Sequence, residues 1–409
     1  RKIRVLIVFM MLMFVFTTIS YGDLEDIERI NVSDIKNEVS VETSKTIANE
    51  PNINSRIGLI YDRKSGQVLF EKNGYKQSLM ASTTKIMTAI VVVENSNLSD
   101  VVEVENKAAQ TGGSRLGLKK NDKITINDLL YGLMMRSGND AAVQLALSVG
   151  KSIPEFAQMM NNKALELGLK NTHFVVPHGL DIDGHYTTAY ELAKIADYAL
   201  KNLKIKQIVS SKTHTVYINN RPMIINNTNE LLGCLDGVYG VKTGFTNGAG
   251  RCLVTSCKRG GIDIITVVLG ADTKKMRTAD SIKLIEYANK NFNMIDIKEK
   301  VLDEFSKWKG LNENRITINK GTAQMELELE ELEFDKMAVK NTQVDNIKVE
   351  VNSVYYFEAP VEEKCVVGNL KIMIGNDTIK VLNIYNKHRV EKKNVKNYMF
   401  EFLKVLNVT

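Results

Sequence analysis

The 409-residue chain has little of what would place it in several common functional classes. It holds four cysteines, Cys234, Cys252, Cys257 and Cys365, and no Cys-x-x-Cys pair. That argues against a thiolate metal site or a dithiol redox site. Cys252 and Cys257 lie five apart in what reads as a strand, where odd spacing puts side chains on opposite faces. Buried free thiols are therefore expected. His173, His178 and His185 are close in sequence but share no recognisable helix face, so no zinc site and no other metal or cofactor is expected. The formal charge is only +6, and three of the cations, Arg1, Lys2 and Arg4, stand at the extreme N-terminus. A mature chain near +3 gives no electrostatic case for nucleic acid. No internal repeat or low-complexity tract stands out. The N-terminal apolar run, Val5 to Phe16, falls short of the ~20 residues of a membrane-spanning helix.

What is present reads as an exported protein of two domains. Arg1, Lys2 and Arg4, the apolar run and Ser20-Tyr21-Gly22 form a positive n-region, an h-region and a cleavage site, so residues 1–22 are expected to be a signal peptide. An uncleaved N-terminal anchor is the alternative. Residues 23–54 are polar and acid-rich, and read as a linker. Ile57–Tyr61 and Gln67–Glu71 flank a turn and predict a β-hairpin. From Ser82 the pattern becomes helical, with Ile86, Ile90 and Val93 on one face. Helical patterns follow at Ile126–Met135, Asp140–Val149, Pro154–Leu167 and Ala189–Leu200. Strand patterns return at Thr213–Ile218, Tyr239–Thr243, Arg251–Cys257 and Ile262–Leu269, and a helix is expected over Ala279–Phe292. The order implies an α/β (α+β) domain over 55–295, an antiparallel sheet carrying a helical insertion. Period-two alternation in Met325–Leu329, Ile347–Val351 and Leu370–Ile374 predicts a small all-β domain over 296–385. The tail 386–409 is basic and carries apolar residues at helical spacing.

Three short motifs carry the chemistry: Ser82-Thr-Thr-Lys85, Ser137-Gly-Asn139 and Lys242-Thr-Gly244. Each is weak alone, since Ser-x-x-Lys also occurs at Ser33…Lys36 and Ser306…Lys309. Positions i and i+3 share a helix face, so the Lys85 amine can reach the Ser82 hydroxyl at a helix start. A lysine that serves as base must lose its proton near neutrality, a shift from ~10.4 to about 7 that costs roughly 4–5 kcal/mol. Burial and a second cation, here Lys242, can supply it. Ser137 and Asn139 fall between two helical stretches, where a turn can aim both side chains into a cleft. Gly244 on a strand edge would let a substrate backbone approach, with Lys242 and Thr243 holding a carboxylate.

In this order the motifs resemble the signature of penicillin-binding proteins and class A β-lactamases. Longer runs narrow the resemblance: Ile60–Asn73, Met80–Thr88, Met135–Ala142, Asn171–Phe174 with Pro177–Asp181, and Gly240–Thr246. Together they are similar to the D-alanyl-D-alanine carboxypeptidases of serine peptidase family S11. The resemblance implies a penicillin-binding, β-lactamase-like transpeptidase fold followed by a β-rich domain. It implies peptidoglycan stem peptides and β-lactam antibiotics as partners. It also implies Ser82 as nucleophile, Lys85 as proton acceptor, and Ser137 and Asn139 as proton carrier and amide holder. Lys242, Thr243 and Gly244 would receive the terminal carboxylate, with Arg277 as a further anion partner. The backbone N–H groups of Ser82 and Phe245 would form the oxyanion hole. Position 245 can be histidine in relatives. By the same resemblance, the tail 386–409 would lie on the membrane surface.

Two rivals are disfavoured. A β-lactamase needs a placed base for deacylation, and no Glu-x-x-Leu-Asn run lies between Ser137 and Lys242. A non-catalytic sensor would not need Ser82, Lys85, Ser137 and Lys242 intact. A Ser-His-Asp reading of His178 and Asp181 is rejected, because they sit three apart in a Gly-containing loop and the lysine already supplies a base.

Overall fold

The computed structural model describes residues 30–44 and 50–406. The segment read as a signal peptide lies outside them. The described residues up to 63 and from 68 to 290 form one compact unit, and 64–67 with those from 291 onward form a second.

The first element corrects the sequence reading. Within the segment read as a linker, helix α1 spans Val32–Ser44 and buries Val32, Ile35 and Val39. Glu38 pairs with Lys275 at 3.0 Å. Its apolar residues come about one per turn among polar ones, a stripe too thin for composition to reveal.

Strands β1 (Ile57–Asp62) and β2 (Val68–Lys72) form the expected hairpin. A 3₁₀ turn at Ala81–Thr84 leads into α2 (Lys85–Asn95). The helical insertion follows. Its small ribbon is β3 (Val101–Glu103) with β4 (Lys123–Thr125), and between these strands lies the one-turn helix α3 (Asn106–Ala109). Then come α4 (Ile126–Met135), α5 (Asn139–Gly150), α6 (Ile153–Glu166), α7 (Ala189–Lys201) and α8 (Leu203–Ser210). Several helix starts are fixed by side chains: Thr125, Ser152 and Thr188 each accept from the backbone N–H three residues on.

A hairpin of β5 (Thr213–Ile218) and β6 (Arg221–Asn226) precedes β7 (Val238–Thr246), β8 (Gly250–Arg259) and β9 (Ile262–Ala271). Helix α9 (Lys274–Asn291) begins five residues before the expected Ala279 and so takes in Arg277. The sheet runs β2-β1-β9-β8-β7 and is antiparallel throughout.

Its central strands are covered on both faces. Leu59 and Tyr61 join the cluster that holds α2 and α7, whereas a side chain at Gly58 would face Leu284 of α9. Arg251 to Cys257 on β8 are buried without a break, which is why that strand shows no alternation. Cys252 and Cys257 are buried free thiols, but Cys234 is exposed and Cys365 half-buried. Residues Lys85 through Val92 of α2 are all buried, and α4, α5, α6 and α7 pack around that helix. Two polar side chains on α2, those of Lys85 and Thr88, therefore lie in the middle of the unit.

The second unit is β-rich, and it includes a helix the alternation did not suggest. Strand β10 (Phe292–Asp296) leads to α10 (Lys298–Asn312), which buries Val301 and Phe305. The remaining strands are β11 (Thr317–Asn319), β12 (Leu327–Leu329), β13 (Lys336–Lys340), β14 (Ile347–Ser353), β15 (Tyr356–Glu358), β16 (Val366–Ile374) and β17 (Asp377–Asn386). A four-stranded sheet, β12-β17-β16-β14, packs Leu370, Ile372, Leu382 and Ile384 against Val301 and Phe305. Helix α11 (Val395–Leu406) closes the described chain with no buried residue.

Candidate active site

Ser82 does not sit in the first turn of α2 but on the 3₁₀ turn before it. The reason is local: the Thr83 and Thr84 hydroxyls donate back to the Met80 and Ala81 carbonyls at 2.6 and 2.8 Å, which favours the tighter turn. Ala81 is held at φ +48°, a conformation unfavourable for a residue with a side chain. Lys85 is fully buried. Its Nζ stands 2.7 Å from Ser82 Oγ, 2.7 Å from Asn139 Oδ1 and 2.8 Å from the His178 carbonyl oxygen. The last two accept only. An ammonium has three N–H groups for these three oxygens, whereas a neutral amine would give two to the carbonyl oxygens and turn its lone pair to the Ser82 hydroxyl.

Ser137 and Asn139 come from the turn between α4 and α5. Ser137 is buried with φ +60°, and Asn139 opens α5. While Asn139 Oδ1 meets Lys85, its Nδ2 donates to the Gly112 carbonyl at 2.8 Å. Asp140, which sequence reasoning assigned no role, fixes this wall. Its buried carboxylate accepts from the N–H groups of Leu116, Gly117 and Leu118 at 2.8, 2.8 and 3.0 Å. The Ser-Gly-Asn turn and the 112–118 loop are thus one hydrogen-bonded body.

Strand β7 ends the sheet, and its Lys-Thr-Gly stretch lies against the nucleophile turn. A Cβ at Gly244 would come 2.9 Å from the Ser82 nitrogen. Glycine is required there by contact. Lys242 and Thr243 are buried, and the Thr243 hydroxyl meets that of Thr228 at 2.8 Å. The Phe245 ring stacks under the Arg251 guanidinium at 4.7 Å.

The 177–181 loop forms the remaining wall, and it is not part of a triad. Asp181 accepts from Thr246 Oγ1 at 2.6 Å and Gly248 N at 2.9 Å, tying the loop to the end of β7. His178 Nδ1 accepts from Leu180 N at 3.2 Å, so neither residue serves the other. Burial, reinforced by Lys85, pushes the His178 imidazole down to about 3. The Pro177 carbonyl accepts from Thr88, and Gly179 passes so close that a Cβ would fall 1.9 Å from the Ala81 oxygen.

Arg277 is fully buried, and its guanidinium pairs with Glu230. Burial alone would raise the Glu230 carboxyl, but Arg277, Lys274 and the Thr278 hydroxyl hold it below the ordinary range. Of the residues singled out in the sequence, Ser82, Lys85 and Asn139 meet directly, and Gly244 abuts Ser82. The structure gives Arg277 an internal carboxylate partner.

The peptidase S11 family, described as D-alanyl-D-alanine carboxypeptidase, matches residues 44–273. The chain belongs to this family. The match ends within the first unit, before Arg277. A D-alanyl-D-alanine carboxypeptidase of Bacillus subtilis, DacF, is 38% identical over 240 residues, 57% of this chain and 62% of that protein. DacD of Escherichia coli is 34% identical, covering 67% of this chain and 73% of its own length. The chain thus spans under two thirds of the Bacillus relative.

Among solved structures, penicillin binding protein 5 from Haemophilus influenzae superposes with a TM-score of 0.70 at 27% identity, over 84% of this chain and all of that one. The Streptomyces K15 DD-transpeptidase superposes with a TM-score of 0.56 at 35% identity, over 59% of this chain and 98% of that one. Family S11 membership accords with the two-unit architecture: the penicillin-binding protein matches most of the chain, and the transpeptidase a shorter part.

Proposed function

We propose that the chain is a serine-type D-alanyl-D-alanine carboxypeptidase that removes the terminal D-alanine of peptidoglycan stem pentapeptides, and that penicillin acylates the same serine. The observation that carries this reading is the Lys85 amine, fully buried, 2.7 Å from Ser82 Oγ and also within reach of Asn139 Oδ1 and the His178 carbonyl oxygen. Ser82 Oγ adds to the penultimate D-alanyl carbonyl carbon as Lys85 takes the hydroxyl proton. The oxyanion lies between the N–H groups of Ser82 and Phe245. Collapse breaks the C–N bond, and a proton passed through Ser137 leaves with the D-alanine nitrogen. Water then adds to the ester, giving its proton to Lys85. The ester C–O bond breaks, and Ser82 regains its hydrogen. One water is consumed per amide cleaved.

Asn139 holds the substrate amide. The terminal carboxylate rests on Lys242 and Thr243 beside Gly244, with Arg277, which pairs with Glu230, as the proposed further anion partner. Because β7 is an edge strand, an extended peptide can add to it by backbone pairing. The test is D-alanine release from a stem-peptide mimic ending in D-Ala-D-Ala, with the parent and Ser82→Ala compared. Release by the parent alone is expected; equal release by both would overturn the Ser82 mechanism.

The setting is proposed to be extracytoplasmic, with residues 1–22 as leader, 55–295 as catalytic domain and 296–385 as the β-rich domain. The tail 386–409 is proposed to rest on the membrane surface. In its support, α11 leaves Phe400, Phe402 and Val405 more than 60% exposed beside Lys396 and Lys404. No described helix is long and apolar enough to cross a membrane.

A further inference from the structure

We propose that His185 and Thr84 are positioning residues for the oxyanion hole, acting through the peptide group that joins Ala81 to Ser82. This rests on the reading of the Ser82 N–H as an oxyanion donor. A peptide group is planar, so whatever fixes its carbonyl also aims its N–H. Here the N–H is that of the nucleophile, and the carbonyl is that of Ala81. Thr84 Oγ1 donates to the Ala81 oxygen at 2.8 Å. The same hydroxyl meets His185 Nε2 at 2.8 Å. On the far side of the ring, His185 Nδ1 faces the N–H of Val175 at 3.1 Å.

These contacts set every hydrogen. Val175 can only donate, so Nδ1 is the acceptor and Nε2 carries the proton. Nε2–H then donates to Thr84, which frees the threonine hydrogen for Ala81. The row Val175, His185, Thr84, Ala81 runs in one direction and ends on the carbonyl of the Ser82 peptide. Hydrogen bonds in such a row polarise one another, and a carbonyl that accepts makes its own N–H a stronger donor. Thr84 and His185 are both buried, so water does not compete.

Two further observations point the same way. Ala81 is held at φ +48°, which persists only where the surroundings over-determine it. Gly179 closes on the Ala81 oxygen from the 177–181 loop, leaving no space for a Cβ. On the opposite side, Gly244 approaches the Ser82 nitrogen. The peptide is therefore gripped at its carbonyl by Thr84 and Gly179, while its nitrogen faces the strand that carries Phe245.

The test is acylation of the full chain by penicillin, with Thr84→Val, Thr84→Ser and His185→Gln beside the parent. Two readouts are used: the second-order acylation rate and the infrared stretch of the acyl-enzyme ester carbonyl, which reports the hydrogen bonds on that oxygen. Thr84→Val should slow acylation about tenfold, a fraction of the ~10²–10³ lost with a whole oxyanion donor. Its ester band should move to higher wavenumber. His185→Gln should move both in the same direction by less, and Thr84→Ser should restore both. A parent rate in Thr84→Val overturns the inference, and so does a slower rate with an unshifted ester band. A parent that penicillin does not acylate would overturn the function reading itself, and this inference with it.

Discussion

Ser82–Lys85 and Ser306–Lys309 each carry a serine followed three residues later by a lysine within or at the edge of a helix, and they differ in their surroundings. Lys85, at the start of α2, is fully buried, and its amine meets one hydroxyl and two neutral carbonyl oxygens. Lys309, on α10, is partly exposed and reaches the Leu327 carbonyl at 2.8 Å and the Glu313 carboxylate at 3.4 Å. Ser306 is exposed. Where a carboxylate and solvent surround an amine, its charge is compensated. Burial in general disfavours the charged form of an amine, which suits the role of base proposed for Lys85. The spacing is common to both sites; the surroundings single out one of them for the proposed nucleophile and base.

The comparison breaks most sharply at the serines. Ser82→Ala should lower D-alanine release by roughly 10⁴ or more, since removal of a nucleophile leaves only binding and oxyanion contributions. Ser306→Ala should leave turnover unchanged. Any comparable loss in Ser306→Ala would show that the second unit takes part in chemistry.

The next effect tests why the first site is rigid. Asp140 accepts three backbone N–H groups of the 116–118 segment from a fully buried position. Asp140→Ala leaves those donors without an acceptor, and about 3–5 kcal/mol of stability should be lost. In a unit of this size that is roughly 10 °C in Tm by calorimetry. Asp140→Asn, which keeps one acceptor oxygen, should lose less. An unchanged melting temperature in Asp140→Ala would mean that the 112–118 loop is not held through this carboxylate.

How much of this was legible in the sequence depends on what each residue answers to. Local patterns gave the helices and strands nearly to the residue, as at Ile126–Met135 and Thr213–Ile218, because periodicity and caps are short-range. The three motifs gave Ser82, Lys85 and Asn139, because those spacings recur with the chemistry. Helix α10 was missed, since Val301 and Phe305 are sparse among charges and only the sheet they pack on makes them a face. Asp140 and His185 were missed for a similar reason. Their partners are backbone N–H groups and a hydroxyl 10 to 101 residues away, and a sequence names no backbone donor. Arg277 was legible by position, but its pairing with Glu230 was not.

A smaller effect separates the two units by their ends. Removing residues 394–409 should leave turnover of a soluble peptide unchanged, because α11 buries nothing. Binding to vesicles containing anionic lipid should fall by more than about tenfold, through lost apolar insertion and the loss of Lys396 and Lys404. Vesicle binding that survives the deletion, measured by sedimentation, would sink the surface-anchor reading.

The smallest effect is a slope in acid. His185 is buried with Nδ1 facing the Val175 N–H, and Nε2 already donates to Thr84. A second proton on the ring would point at another donor. Burial, with His173 adding and Asp181 opposing, pushes the imidazole down to about 4. The unfolded value is about 6.5. The folded value is thus depressed for a group that is neutral when folded. Below pH 6.5 the unfolded chain takes up a proton that the native chain refuses, so stability falls as pH falls and levels off only near the folded value. Between pH 7.5 and 6 the loss from this one group should be under about 1 kcal/mol. The readout is the difference in Tm slope between the parent and His185→Gln, which removes the titration; carboxylates contribute equally to both. A shallower slope in the variant is expected, and identical slopes would place a protonated ring in the native fold, against the one-directional row of hydrogen bonds that ends at the Ser82 peptide.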